Sequence, residues 1–174
     1  MEIRDARLED LPEVTRLHNE LIDGTTFTWT EQRQTLEDRA AAFQARTTRG
    51  FPTLVAHDGS AIVGTATFGD FRDSIRWPGY RFSVEHSVNV FQNAWGRGVG
   101  QKLMGHLFER AREHRIHAMI GGIDASNFRS LAFHERLGFR EVARMPETGW
   151  KHGRWCDLVL VQRLMDEPGA PRDR

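Results

Sequence analysis

The chain contains a single cysteine, Cys156, so no intramolecular disulfide can form. That composition fits a reducing, cytoplasmic compartment. Neither sign of charge is in excess: Lys+Arg is 24 and Asp+Glu is 24, a formal net charge of zero. No nucleic-acid partner is suggested by such a balance. No apolar run approaches the roughly 20 residues that span a bilayer. The opening Met1-Glu2-Ile3-Arg4-Asp5 also lacks the apolar core of a signal peptide, so no membrane partner is expected. Histidines lack thiolate or carboxylate companions at ligand spacing. His114-x2-His117 spans a helix end and a strand start, and His86 and His152 stand apart from other ligands, so no metal is expected. Cys156 has no surrounding pattern of a nucleophile and reads as a packed thiol. Repeats and linkers are missing too. The 174 residues, 39% hydrophobic and 28% charged, are expected to form one domain over 1–166 with a polar tail over 167–174.

What is present alternates between strand and helix patterns. Glu2 to Leu8 reads as a strand, followed by Asp10 as a helix N-cap with Pro12 and Glu13 in the first turn. Leu11, Val14, Leu17, Leu21 and Ile22 share one face of that helix, which Gly24 ends. Thr25 to Thr35 reads as a loop and Leu36 to Thr47 as a second helix. Phe51–His57 and Ala61–Phe68 form a hairpin about Asp58-Gly59. After a loop from Asp70 to Gly79, residues Arg81 to Val90 alternate. Val84, His86, Val88 and Val90 lie on one face, and Ser83, Glu85, Ser87 and Asn89 on the other. A helix from the turn Gly96-Arg97-Gly98-Val99-Gly100 runs to about His114, burying Val99, Leu103, Leu107, Phe108 and Ala111. A strand over Ala118–Ile123, a helix over Asn127–Leu137 stopped by Gly138, and strands over Arg140–Met145 and Trp155–Leu164 complete the order β-α-α-β-β-β-α-β-α-β-β. This is a mixed α/β domain.

Glycines at a helix start let backbone amides approach an anion, which the helix dipole favours. By itself the turn is also an ordinary strand–helix connection. It lacks the Lys-Ser/Thr of a Walker loop, and it follows about the fourth strand, not the first as in a dinucleotide fold.

Three further stretches give the turn a context: Arg81-Phe82-Ser83-Val84-Glu85-His86-Ser87-Val88, Ser130-Leu131-Ala132-Phe133-His134-Glu135-Arg136-Leu137-Gly138-Phe139, and Gly149-Trp150-Lys151-His152-Gly153-Arg154-Trp155-Cys156-Asp157. With them the chain resembles, nearly end to end, the GNAT superfamily of N-acetyltransferases, and within it the phosphinothricin / methionine sulfoximine (sulfone) acetyltransferase family. The resemblance implies a twisted mixed sheet splayed between its fourth and fifth strands, with acetyl-CoA as co-substrate in the splay. It implies main-chain contacts from Val88 and Val90 to the pantetheine arm. The amides of Trp95, Gly96, Arg97, Gly98, Val99 and Gly100 would meet the pyrophosphate, and Asn127 and Ser130 the cofactor. Trp95 departs from the Gln or Arg usual at that position.

Acetyl transfer needs a neutral amine, and a mid-strand carboxylate, Glu85, is the candidate base. His134 occupies the place where many superfamily members carry Tyr. It either donates a proton to the leaving thiolate or has an orienting role. Arg72, Arg81 and Lys151 are, as a set, candidates for the substrate's anionic group, though each alone reads as a solvated surface cation. Phe27 and Trp29 are candidates for a covering loop, with core packing as the other reading of the aromatics. The expected reaction is acetylation of the α-amino group of methionine sulfoximine, methionine sulfone or phosphinothricin-like molecules, with antibiotic or herbicide resistance as a possible outcome. A polyamine, aminoglycoside or protein N-terminus is the alternative acceptor, and a non-catalytic acetyl-CoA-binding module the alternative class. The resemblance also implies a homodimer.

Overall fold

The computed structural model describes residues 1–59 and 61–165; the tail expected from residue 167 lies outside them. In chain order the elements are β1 (Glu2–Asp5), α1 (Leu11–Gly24), α2 (Leu36–Thr48), β2 (Thr53–Asp58), β3 (Ala61–Asp70) and β4 (Ser83–Val90). They continue with α3 (Val99–Glu113), β5 (Ala118–Asp124), α4 (Phe128–Arg136), β6 (Arg140–Lys151) and β7 (Arg154–Leu164). The order matches the sequence reading element for element.

The described strands form one seven-stranded sheet ordered β1-β2-β3-β4-β5-β7-β6. Every neighbouring pair is antiparallel except β4 and β5. That parallel ladder is short, pairing Ser83 with Ala118, Val84 with Met119 and Glu85 with Ile120. Beyond Glu85 the strands part, which leaves the β4 edge from His86 onward facing an opening.

Side-chain alternation assigns the two faces. A Cβ on Gly64 would meet Val99 and Leu103 of α3, whereas one on Gly69, five residues on, would meet Arg46 of α2. Thus α3 covers one face and α2 the other. The α3 side carries the main core, where Leu103, Met104 and Leu107 pack with Phe68, Val84 and Val159. All five residues of the expected α3 stripe are buried. Burying such side chains supplies about 1.5–3 kcal/mol each. On the other face, Val14 of α1 packs with Val55 and Ile62.

Several boundaries shift by one or two residues, and three departures are larger. β1 stops at Asp5, because Leu8–Asp10 forms a 3-10 turn. Asp10 makes no side-chain cap for α1; it accepts from the Arg7 amide at 2.7 Å and pairs with Arg4 at 2.7 Å. β6 runs to Lys151, past Met145, by absorbing residues 146–148 as an irregularity in which Glu147 adopts φ 51°.

Candidate active site

The opening between β4 and β5 is a cleft of about 530 Å³, including solvent at its mouth. Residues 86–89 of β4, 121–124 of β5, the start of α4 and Phe27 line it. Alternation divides its chemistry between the two faces.

On the α2 face, Glu85 lies opposite Gly69 in the β3–β4 ladder. Its carboxylate passes over Gly122, where a Cβ would lie 3.3 Å from Oε1. Solvent reaches the side chain, yet surrounding protein raises the carboxyl pKa by desolvation. On the same face, Asp124 Oδ2 accepts from Trp29 Nε1 at 3.2 Å, and Asp124 Oδ1 from the Ser126 amide at 2.8 Å. Burial pushes the Asp124 pKa up, but hydrogen bonds from Ser126, Trp29 and Thr26 prevail and hold it below the usual range. Trp29 lies directly on Gly149, where a Cβ would come within 2.1 Å of the ring. Lys151 is fully buried, and its Nζ donates to the carbonyls of Ile22 and Thr28, both at 2.7 Å. The segment carrying Phe27 and Trp29 is thereby fastened at Asp124, Gly149 and Lys151.

On the α3 face, His86 and His134 are both buried, with Nε2 atoms 3.0 Å apart. His86 Nδ1 donates to the Ile120 carbonyl at 2.8 Å, and His134 Nδ1 lies 2.7 Å from the Ser130 carbonyl. Burial lowers both pKa values, that of His86 to about 3. The His86 ring fits only because position 121 is glycine: a Cβ there would sit 2.7 Å from Cε1. Asn127 caps α4, its Oδ1 accepting from the Ser130 amide at 3.1 Å.

The glycine turn adjoins this cleft. Gly96 and Gly98 adopt φ +75° and +76°, a region closed to most side chains, and a Cβ on either would meet nothing within 4 Å. Gly98 is the N-cap of α3 and Val99 its first residue. The backbone is therefore uncovered by side chains at Gly96 and Gly98, which fits a diphosphate, whereas the amides of Trp95 and Arg97 already donate to the Gln92 and Ala94 carbonyls. Trp95, 39% exposed, donates from its indole to the Val90 carbonyl at 2.9 Å, and the Arg97 side chain pairs with Asp58. Gly100 is packed instead: a Cβ there would lie 3.2 Å from Phe133.

Val88, Asn127, Ser130, His134 and Phe27 thus line the cleft. Glu85 only borders it, through the contact of its carboxylate with Gly122, and Trp29, Val90 and residues 95–100 lie outside the lining. Arg72 and Arg81 lie on the exposed segment leading into β4, with Arg81 4.3 Å above the Phe82 ring. Neither arginine lines the cleft, and neither does Lys151. Sequence reasoning gave no role to His86, Asp124, Gly121 or Gly122. The paired glycines inside an apolar strand were the available signal, since such positions mark close approach.

Among the described residues there is no group of three or more His, Cys, Asp or Glu arranged for a metal ion, and no helix long and apolar enough to cross a membrane.

A sheet parted between its fourth and fifth strands, with a glycine-built helix start beside the gap, defines an N-acetyltransferase of the GNAT type. The chain belongs to the Acetyltransferase (GNAT) family, whose sequence profile matches residues 14–139. It is 41% identical over 165 residues to an L-methionine sulfoximine/L-methionine sulfone acetyltransferase of Pseudomonas paraeruginosa, with 94% of each chain covered. It is 39% identical over 171 residues to the L-amino acid N-acyltransferase MnaT of Escherichia coli, with 98% of each covered. Its structure resembles that of a GNAT superfamily phosphinothricin acetyltransferase (Pat) from Sinorhizobium meliloti in complex with AcCoA. The TM-score is 0.93 at 33% identity, covering 99% of this chain and 92% of that one.

Proposed function

We propose that the protein transfers the acetyl group of acetyl-CoA directly to the α-amino group of a small amino-acid analogue of the methionine sulfoximine, methionine sulfone or phosphinothricin kind. The observation that carries this reading is Glu85: a carboxylate at the last rung of the β4–β5 ladder, with a burial-raised pKa, over a glycine on the opposite strand. A base so placed takes a proton from an incoming ammonium near neutrality. The acceptor enters on the α2 face, under Phe27 and Trp29. The thioester lies along the β4 edge at Val88 and at Val90, whose carbonyl also accepts from the Trp95 indole. Its diphosphate rests on the amides of Gly96 and of residues 98–100, those of Trp95 and Arg97 being turned to the Gln92 and Ala94 carbonyls. Its arm lies beside Asn127 and Ser130.

Arg72 and Arg81 meet the acceptor's carboxylate at the entrance. Lys151 serves indirectly, by holding the carbonyls beneath the aromatic segment. Self-association would use the exposed β6–β7 hairpin, where Trp150 and Trp155 pack edge to face 5.1 Å apart. Sedimentation of the Trp150→Ser variant tests that surface.

The decisive assay is thiol release from acetyl-CoA with a panel of amines: methionine sulfoximine, methionine sulfone, phosphinothricin, spermidine and an aminoglycoside. Turnover restricted to the carboxylate-bearing amines, with an Arg81→Ala variant raised in KM for them and unchanged in acetyl-CoA affinity, is the expected result. Preference for the polycations, or collapse of acetyl-CoA affinity in Arg81→Ala, would overturn it.

A further inference from the structure

The buried histidine pair presents an unsolved proton count. Three short contacts surround the two rings: His86 Nδ1 to the Ile120 carbonyl at 2.8 Å, His134 Nδ1 to the Ser130 carbonyl at 2.7 Å, and Nε2 to Nε2 at 3.0 Å. Carbonyls only accept, so each Nδ1 contact needs an N–H, and the central contact needs a third. Two neutral imidazoles own two. A pair carrying one extra proton satisfies all three contacts. The neutral pair must give up one of them, either by facing lone pair to lone pair or by turning the bare Nδ1 of His134 toward a carbonyl. In that neutral state Ser130 Oγ, 3.3 Å from His134 Nδ1, is the donor within reach.

The surroundings add no further charge. Phe139 lies 5.1 Å from the His86 ring and 5.2 Å from that of His134, and Phe133 stands 5.2 Å from His134. Gly121 of β5 abuts His86. Glu85 points to the opposite face of β4, and Asp124 is engaged with Ser126 and Trp29. Among the described residues His134 is the ionisable group acting on His86, while His134 is governed by burial and by the Ser130 carbonyl. Burial resists the extra proton, while the third hydrogen bond, open only to the protonated pair, favours it.

We propose that Ser130, His134 and His86 form a proton relay, with Ser130 Oγ as the group that protonates the departing sulfur and His86 as the positioning residue that stabilises the donor state of His134. This rests on the acetyl-transfer reading above. When the C–S bond of the adduct breaks, its electron pair stays on sulfur. Ser130 Oγ–H passes its proton to that sulfur, and the His134 Nδ1–H, shared between the Ser130 carbonyl at 2.7 Å and Ser130 Oγ at 3.3 Å, shifts to the oxygen to replace it. His134 is left neutral, with its Nε2–H on His86 Nε2, and the pair falls from one positive charge to none. The amine's proton leaves on the other face, to Glu85. His134 itself, with both nitrogens engaged inside the protein, acts through the serine.

Two measurements test the relay. Nitrogen-15 spectra of the imidazoles in the full-length unliganded protein should show His86 Nδ1 and one Nε2 protonated throughout and a third, exchange-protected N–H, on His134 Nδ1, that appears as pH falls. That third resonance should vanish in His86→Gln. A His134 Nδ1 that carries no proton at any pH between 5 and 8 overturns the proposal without touching the acetyl-transfer reading. In single-turnover kinetics, Ser130→Ala should slow transfer about tenfold to a hundredfold, toward the low end of general-acid effects because a thiolate leaves readily. The ratio of parent to Ser130→Ala rates should shrink as pH rises and the pair loses its third proton. In His86→Gln, with its folding verified by melting, that pH dependence should move. A ratio constant across pH marks Ser130 as a binding contact and refutes the relay. Failure of every amine to react instead removes the acetyl-transfer reading, and the spectra still decide the proton count.

Discussion

Gly149→Ala probes the closest approach in the structure. The added Cβ would meet Trp29 ring atoms at 2.1, 2.4 and 2.6 Å. An ordinary carbon contact is about 3.5 Å, so the ring must retreat by about 1.4 Å. That displacement breaks the Trp29 Nε1 bond to Asp124, already 3.2 Å long. A hydrogen bond to a charged group contributes about 1.5–3 kcal/mol. For a chain of this size the loss corresponds to a melting temperature lowered by about 3–12 °C. Because Phe27 lies two residues from Trp29 and lines the cleft, the same displacement withdraws it from the acceptor side. If the whole cost falls on acceptor binding, kcat/KM for the amine drops roughly tenfold to a hundredfold. Acetyl-CoA affinity, which depends on the α3 face, should hold. Differential scanning calorimetry and steady-state kinetics with varied amine read both effects. A double-mutant cycle with Trp29→Phe, which keeps a ring but no N–H, should show that the two losses do not add. Unchanged melting and unchanged amine KM in Gly149→Ala would refute the fastening of this segment.

Glu85→Gln should depress kcat most where the amine is still protonated, and the deficit should narrow as pH rises and the amine deprotonates by itself; a loss uniform across pH would indicate positioning instead of proton removal. The same substitution should stabilise the fold near neutrality. A carboxyl whose folded pKa is raised favours the folded state most below its unfolded pKa and loses that contribution as pH rises through the folded one. The difference in melting temperature should therefore close as pH falls toward 4. Arg39 of α2 buries Nε and Nη2 without hydrogen-bond partners, and the like charge of Arg46 acts against its own. Arg39→Met keeps the stem's packing and removes both donors, so it should raise stability by about 1 kcal/mol or more; a fall of several degrees on thermal melting would contradict this.

The order of elements was legible because each segment carried its own period. The α3 stripe and the β4 alternation of Val84, Glu85 and His86 are local patterns, and local patterns survive into the fold. What escaped depends on partners distant in the chain. Pro146-Glu147-Thr148-Gly149 reads as a strand breaker, yet β7 holds the strand together across the irregularity, with Asp157 accepting from the Glu147 amide at 2.9 Å. Lys151 looks like a surface cation in sequence; its two acceptors are the carbonyls of Ile22 and Thr28, more than 120 residues away. The pairing of His86 with His134 spans 48 residues and requires Gly121 on a third element. No motif at fixed spacing encodes such a meeting. The glycine turn was readable as backbone chemistry, whereas the engagement of Trp95 with the Val90 carbonyl was not.

In the proposed mechanism Glu85, the base, and His86, which supports the proton donor, stand one peptide bond apart and on opposite sides of a wall. A strand can hold them so only while its pleat keeps phase, since slipping by a single residue would turn the carboxylate to the α3 face and the histidine to the α2 face. The wall also insulates the two duties from each other. On the proposed reading, a substitution on the Trp29 side would alter the choice of amine and leave the face that handles the sulfur intact.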